Sequence, residues 1–160
     1  MEKQRLSFIK KINSELPNGI KVIPWAMLPF TVWHGHQAGF LMTTCNRFPS
    51  SHENIFLLAG DDESSNALGL PRHPGLPHPS FCTACENLVS EVHSRFRAKH
   101  QKIGSALNSG QHEKATEMLE LVDLVKRQVN GVAHGLTSEL FGEDVYKRHC
   151  EVFGEILGWN

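Results

Sequence analysis

From Phe81 to the end of the chain, apolar residues recur at helical spacing and nothing reads as a strand, so half of the molecule is committed to helices. Leu88, Val89, Val92, Phe96, Ile103, Ala106 and Leu107 fall within about 100° of one another around a helix, one apolar stripe. Asn108-Ser109-Gly110 ends that helix. The next carries Ala115, Met118, Val122, Val125 and Val129 at alternating steps of three and four, the seam expected of an antiparallel hairpin or short coiled coil. Leu119, Leu121 and Leu124 lie off this seam, so a second neighbour is expected. Gly131 and Gly135 are expected to weaken or kink the end of this helix. Gly142 and the acidic pair Glu143-Asp144 mark a third start, where negative charge suits the helix dipole. Val145, His149, Val152, Phe153, Ile156 and Leu157 then line the last helix.

The first half is less regular. Leu6, Ile9, Ile12 and Leu16 predict an amphipathic helix that Pro17-Asn18-Gly19 terminates. Three β-like runs follow, Ile20–Ile23, Phe30–His34 and Asn54–Ala59, read as a small antiparallel sheet. The segment from His36 to Cys45 fits either strand or helix. Asp61, Asp62, Ser64, Ser65 and Asn66 are turn formers, and Pro71, Pro74, Pro77 and Pro79 interrupt regular structure, so residues 60–80 read as one long loop.

At 160 residues the chain is expected to form one domain with a core that needs no disulfides. Sixteen basic residues against seventeen acidic ones leave a net charge of -1, so no global positive field draws in nucleic acid. Residues 20–33 are apolar but broken by Pro24 and Pro29, too short for a membrane span. Four cysteines without a secretory signal read as reduced thiols in a cytoplasmic protein.

The cysteines of Phe81-Cys82-Thr83-Ala84-Cys85 stand three apart at the start of a helix, a spacing that suits zinc, whose thiolate ligands take tetrahedral geometry. Cys45 is the natural third ligand and His36 the fourth, with His34, His73 and His78 as alternatives for the last position. Such an arrangement would resemble a treble-clef or zinc-ribbon, without the second CxxC of those motifs. The alternative is a small core hydrophobe at Cys85, which lies on the apolar stripe. Phe-Cys-Thr-Ala-Cys also resembles a thioredoxin-type motif, but over five residues only. The strand that family places before its motif is here a proline-rich loop. The turn Ser109-Gly110-Gln111-His112-Glu113-Lys114-Ala115 is similar to the hairpin of chemoreceptor zinc-binding domains, without the HxxxH pair or the Cys-x-x-Gly motif.

His34 and His36, if on a strand, would point to one face and share a metal, with Asp61, Asp62, His134 or His149 to complete a hydrolytic site. His93 and His100 share a helix face. The expected fold is α+β: an N-terminal helix and small antiparallel sheet in residues 1–60, a long Pro/His loop in 61–80, and a helical hairpin plus one further helix in 81–160. A mainly α bundle is the alternative. The expected role is a small zinc-stabilised regulator or adaptor that binds another protein, or a second copy through the helical seam. Trp25, Phe30, Trp33 and Trp159 are candidate contact groups. A metal-dependent hydrolase using His34 and His36 is the runner-up. Nucleic-acid binding through Arg95–Lys102 is the third reading, with affinity that would fall steeply with salt.

Overall fold

A computed structural model describes residues 2–49 and 51–157, with side chains from Ser7 onward; Trp159 lies outside the described residues. The order is α1 (Glu2–Glu15), β1 (Val22–Ala26), α2 (Gly35–Gly39), β2 (Ile55–Ala59), α3 (Asp62–Leu68), α4 (Pro79–Asn108), α5 (Lys114–Phe141) and α6 (Glu143–Leu157). The expected α+β plan is therefore the observed one.

The antiparallel pair β1 and β2 divides the interior. Its register sets Val22 opposite Ala59 and Trp25 opposite Phe56. Every residue of β2 is buried, because both of its faces are covered. Side chains alternate across a strand, so Phe56 and Leu58 enter one apolar cluster while Ile55 and Leu57 enter another. The first cluster joins β2 to α4 and α5 through Phe81, Cys85, Val89, Val125 and Val129. The second joins it to α1, α3 and α6 through Ile12, Leu68, Phe153 and Leu157. Pro24, opposite Leu57, is tolerated in β1 because β1 is an edge strand of a two-stranded sheet.

Three local expectations differ from the structure. Phe30–Trp33 is a short 3-10 helix and not a strand, with Val32 and Trp33 buried and the Trp33 indole donating to the Leu28 carbonyl at 3.3 Å. Its β-branched and aromatic residues satisfy burial in either conformation. The 60–80 loop contains α3: the Asp61 side chain accepts the Ser64 N–H at 2.8 Å, and Gly69 closes the helix at φ +66°. That angle is left-handed, so a side chain there would be strained. Finally, α5 runs through Gly131 and Gly135 to Phe141. Its buried line is Leu121, Val125, Val129, Ala133 and Thr137, in steps of four, and it packs on α4. The seam thus lies inside the hairpin, shifted from the expected positions.

Asn54 fastens the two halves of the sheet region. Its buried amide accepts the Leu28 N–H at 2.7 Å and donates to the Leu28 carbonyl at 3.1 Å and the Pro49 carbonyl at 3.3 Å.

Candidate functional site

A polar cleft of about 790 Å³ lies where α2 meets α4. The 3-10 turn buries Trp33 and leaves His34 in extended backbone as the cap of α2. The next residue, Gly35, takes φ +58° and turns the chain into the helix. Phe40 then packs on Phe96 and stacks on the His93 ring at 4.6 Å, which holds α2 against α4. Gln37 donates to the Glu86 carbonyl at 3.5 Å. From α2 the cavity receives His34, His36 and Gln37; from α4 it receives Ser90, His93, Ser94 and Arg97. The α4 group is spaced i, i+3, i+4, i+7, one stripe of a helix.

No carboxylate lines this cavity. Arg97 makes neither a hydrogen bond nor a salt bridge among the described residues, whereas the neighbouring Arg95 is held by Glu91. Burial lowers the His93 pKa, and the positive charges of Arg97 and His36 lower it further. Sequence reasoning found His34, His36 and His93 but assigned them to two separate places. It placed Arg97 in a basic patch for nucleic acid and missed Ser90 and Ser94, whose signal was the polar stripe on α4 opposite its apolar one.

The cysteines and His36, the four candidate zinc ligands, are not gathered. Cys85 is buried with its thiol directed at the Met27 carbonyl, 3.9 Å away, and burial pushes its pKa up to about 12, with Cys82 and Glu86 adding to the rise. Cys82 instead lines an apolar hollow of about 340 Å³ with Trp25, His73 and Leu76. A helix separates residues three apart by about 60° of rotation, enough here to send one thiol to the core and the other to the hollow. Cys45 ends the π-helical turn after Thr44. Burial raises its pKa to about 11 against the opposing pull of Arg47 and Lys126. His36 belongs to the cleft described above. Among the described residues, no group of three or more His, Cys, Asp or Glu side chains stands where it could hold a metal ion.

The expected partners of His34 and His36 in a hydrolytic site are dispersed. Asp61 caps α3, and Asp62 pairs with Arg72 at 3.2 Å. His134 hydrogen-bonds the Tyr146 hydroxyl across the α5–α6 contact. His149 is fully buried, accepts the Leu57 N–H on Nε2 at 2.9 Å, and stacks on Phe56 at 3.9 Å. Its presence on the apolar face of α6 was the only sequence signal of that interior contact. Arg47 is also buried, donating to Asn130 and to the Glu53 carbonyl, and burial lowers its pKa to about 10.

A second surface runs along the hairpin. One depression holds Leu88, Val92, Gly131 and Gly135. It shares Leu136 with a hollow beside Glu139 and Leu140, and shares Arg95 and Gln128 with one beside Lys99 and Leu124. The three form a continuous groove. From Leu124 to Leu140 it follows α5 for roughly 24 Å, at 1.5 Å per residue. A methyl group added at Gly131 or Gly135 would meet nothing within 4 Å. Leu140 is 44% exposed, and Leu119, nearer the hairpin tip, is 69% exposed. No family model, no curated protein and no solved structure matches this chain.

Proposed function

We propose that this protein is an adaptor or regulator that acts by protein–protein contact, with the α4–α5 groove as its contact face and a second copy of the chain as the occupant. The observation that carries the reading is the distribution of charge along an apolar groove. One end presents Glu139 and the other Lys99, while Arg95 and Glu91 pair with each other between them. A two-fold axis through the middle of the groove lays two hairpins antiparallel, so each acidic end meets a basic end of the other copy. Symmetric pairs of this kind need only one self-complementary patch. The glycines at the centre, Gly131 and Gly135, leave room for the two α5 helices to approach closely. The seam residues Val125 and Val129 already pack inside the hairpin, which is why the contact is assigned to the groove beside them. Complementary charge steers encounter and excludes wrong partners more than it adds affinity, so the apolar side chains Leu88, Leu124, Leu136 and Leu140 supply the attraction.

Sedimentation equilibrium tests this. The wild-type mass should rise from the 17.9 kDa of one chain toward twice that value with concentration. Gly131→Glu places two like charges near the axis and should keep the protein monomeric. Glutamate is the better helix former, so at dilutions where wild type is itself monomeric this variant should melt no lower than wild type. A wild type that stays monomeric throughout, or a Gly131→Glu protein that still pairs, refutes the groove as the closing surface.

A further inference from the structure

We propose that the cleft between α2 and α4 binds a small organic phosphate monoester, with Arg97 as the principal anchor of the phosphate and His36 and His93 as its flanking donors. This is independent of the hairpin groove, which runs between α4 and α5. The first argument is the sign of the lining. Arg97 and three imidazoles converge with no carboxylate among them, and Arg97 has no partner of its own among the described residues. Burial lowers the His93 pKa most, and the charges of Arg97 and His36 lower it further; an anion beside these groups would offset that mutual repulsion. A cation would aggravate it, in keeping with the absence of a metal-holding group among the described residues.

The second argument is donor geometry. Arg97 offers a planar fork of N–H groups suited to two oxygens at once. Ser94 and Ser90 precede it by one and two turns on the same stripe of α4, and His36 comes from the opposite wall on α2. Donors from two walls match an anion whose three oxygens spread tetrahedrally better than a planar carboxylate with two. The third argument is size and order. The His93 ring is held by Phe40 at 17° to its plane, so one donor is already oriented. At about 790 Å³ the cleft is far larger than a bare ion needs, which leaves space for the organic part of an ester.

The test is an NMR titration of histidine ring resonances with glycerol 3-phosphate and, separately, inorganic phosphate, at constant ionic strength set with sodium chloride. Saturable shifts at His34, His36 and His93 are expected, with the other histidines unmoved and the ester binding more tightly than the free ion. Arg97→Gln should weaken binding by roughly tenfold or more, the scale of one lost charge-assisted pair. Arg97 lies at the exposed surface of α4, so the variant should keep the wild-type melting temperature. Shifts that never saturate, shifts spread over His100 and His112, or an Arg97→Gln protein that binds like wild type would overturn the assignment. Inorganic phosphate binding more tightly than the ester would overturn its organic part.

Discussion

Acid should destabilise this protein before its carboxylates titrate, and two interior histidines set the size of the effect. Burial takes the His149 pKa from 6.5 to about 3, with the charge of His134 adding to the drop. Burial takes the His134 pKa from 6.5 to about 4, with Arg47 adding to it. Both rings are therefore neutral in the folded protein at pH 5, while the same rings in the unfolded chain are protonated. The unfolded state binds more protons, so stability rises with pH in this window. The contribution is complete above about pH 6.5 and is lost as pH falls toward the folded values. At pH 5 the deficit is about 1.5 pH units per ring, which is about 2 kcal/mol each and about 4 kcal/mol together. Domains of ordinary stability hold about 5–15 kcal/mol in total, so the loss is large. Urea unfolding followed by tryptophan fluorescence reads it directly, because Trp25 and Trp33 are both buried. With a slope near 2 kcal/mol per molar, the midpoint should fall by about 2 M between pH 7 and pH 5. His134→Gln should remove about half of that fall. A midpoint that moves by less than about 0.5 M would refute the reasoning, because one ring alone should give about 1 M, so neither ring would be excluding its proton as argued.

Two further predictions follow from the interior. Cys85→Ala should cost about 1–2 kcal/mol by opening a small void in the core, while Cys82→Ala, at the rim of a hollow, should stay within about 0.5 kcal/mol; equal losses, accompanied by release of zinc in elemental analysis, would restore a shared metal site. Asn54→Ala should cost about 2–3 kcal/mol in urea unfolding, since it strands the buried N–H of Leu28 and removes a donor from the Pro49 carbonyl, while the Leu28 carbonyl keeps the Trp33 indole. A loss under about 1 kcal/mol would mean that water replaces the amide.

Period and punctuation made the C-terminal half legible. In α4 the apolar stripe through Val89, Val92 and Phe96 is the face that packs, and in α6 His149, Phe153 and Leu157 are buried as their spacing required. The run Ile55–Ala59 was recognisable because an uninterrupted apolar segment closed by Gly60 suits a strand covered on both faces. Two elements were not readable. α3 has seven residues and too few apolar positions to show a period, so only its Asp61 cap and Gly69 stop could have marked it. Phe30–Trp33 carries strand-like residues in a 3-10 turn because strand propensity measures fit to a half-buried surface, which this turn also provides.

The division follows from the range of the forces involved. Helix spacing, caps and turn glycines act over a few residues, so α1, α4, α5 and α6 were legible in the sequence, though not the C-terminal end of α5, which runs through Gly131 and Gly135. Which line of α5 faces α4 depended on packing between two helices, since apolar residues lie on more than one side of α5; tertiary contact selected Leu121, Val125, Val129 and Ala133 and left Leu119 outside. The same holds for the candidate site. His36 and Arg97 are distant in the chain, and the stacking of Phe40 on His93 brings their helices together. Cys82 and Cys85 are near neighbours, yet their positions around α4 direct them to different surroundings. Spacing determined what these side chains were near along the chain, and only the packing of α2 and β1 on α4 decided what each one faces.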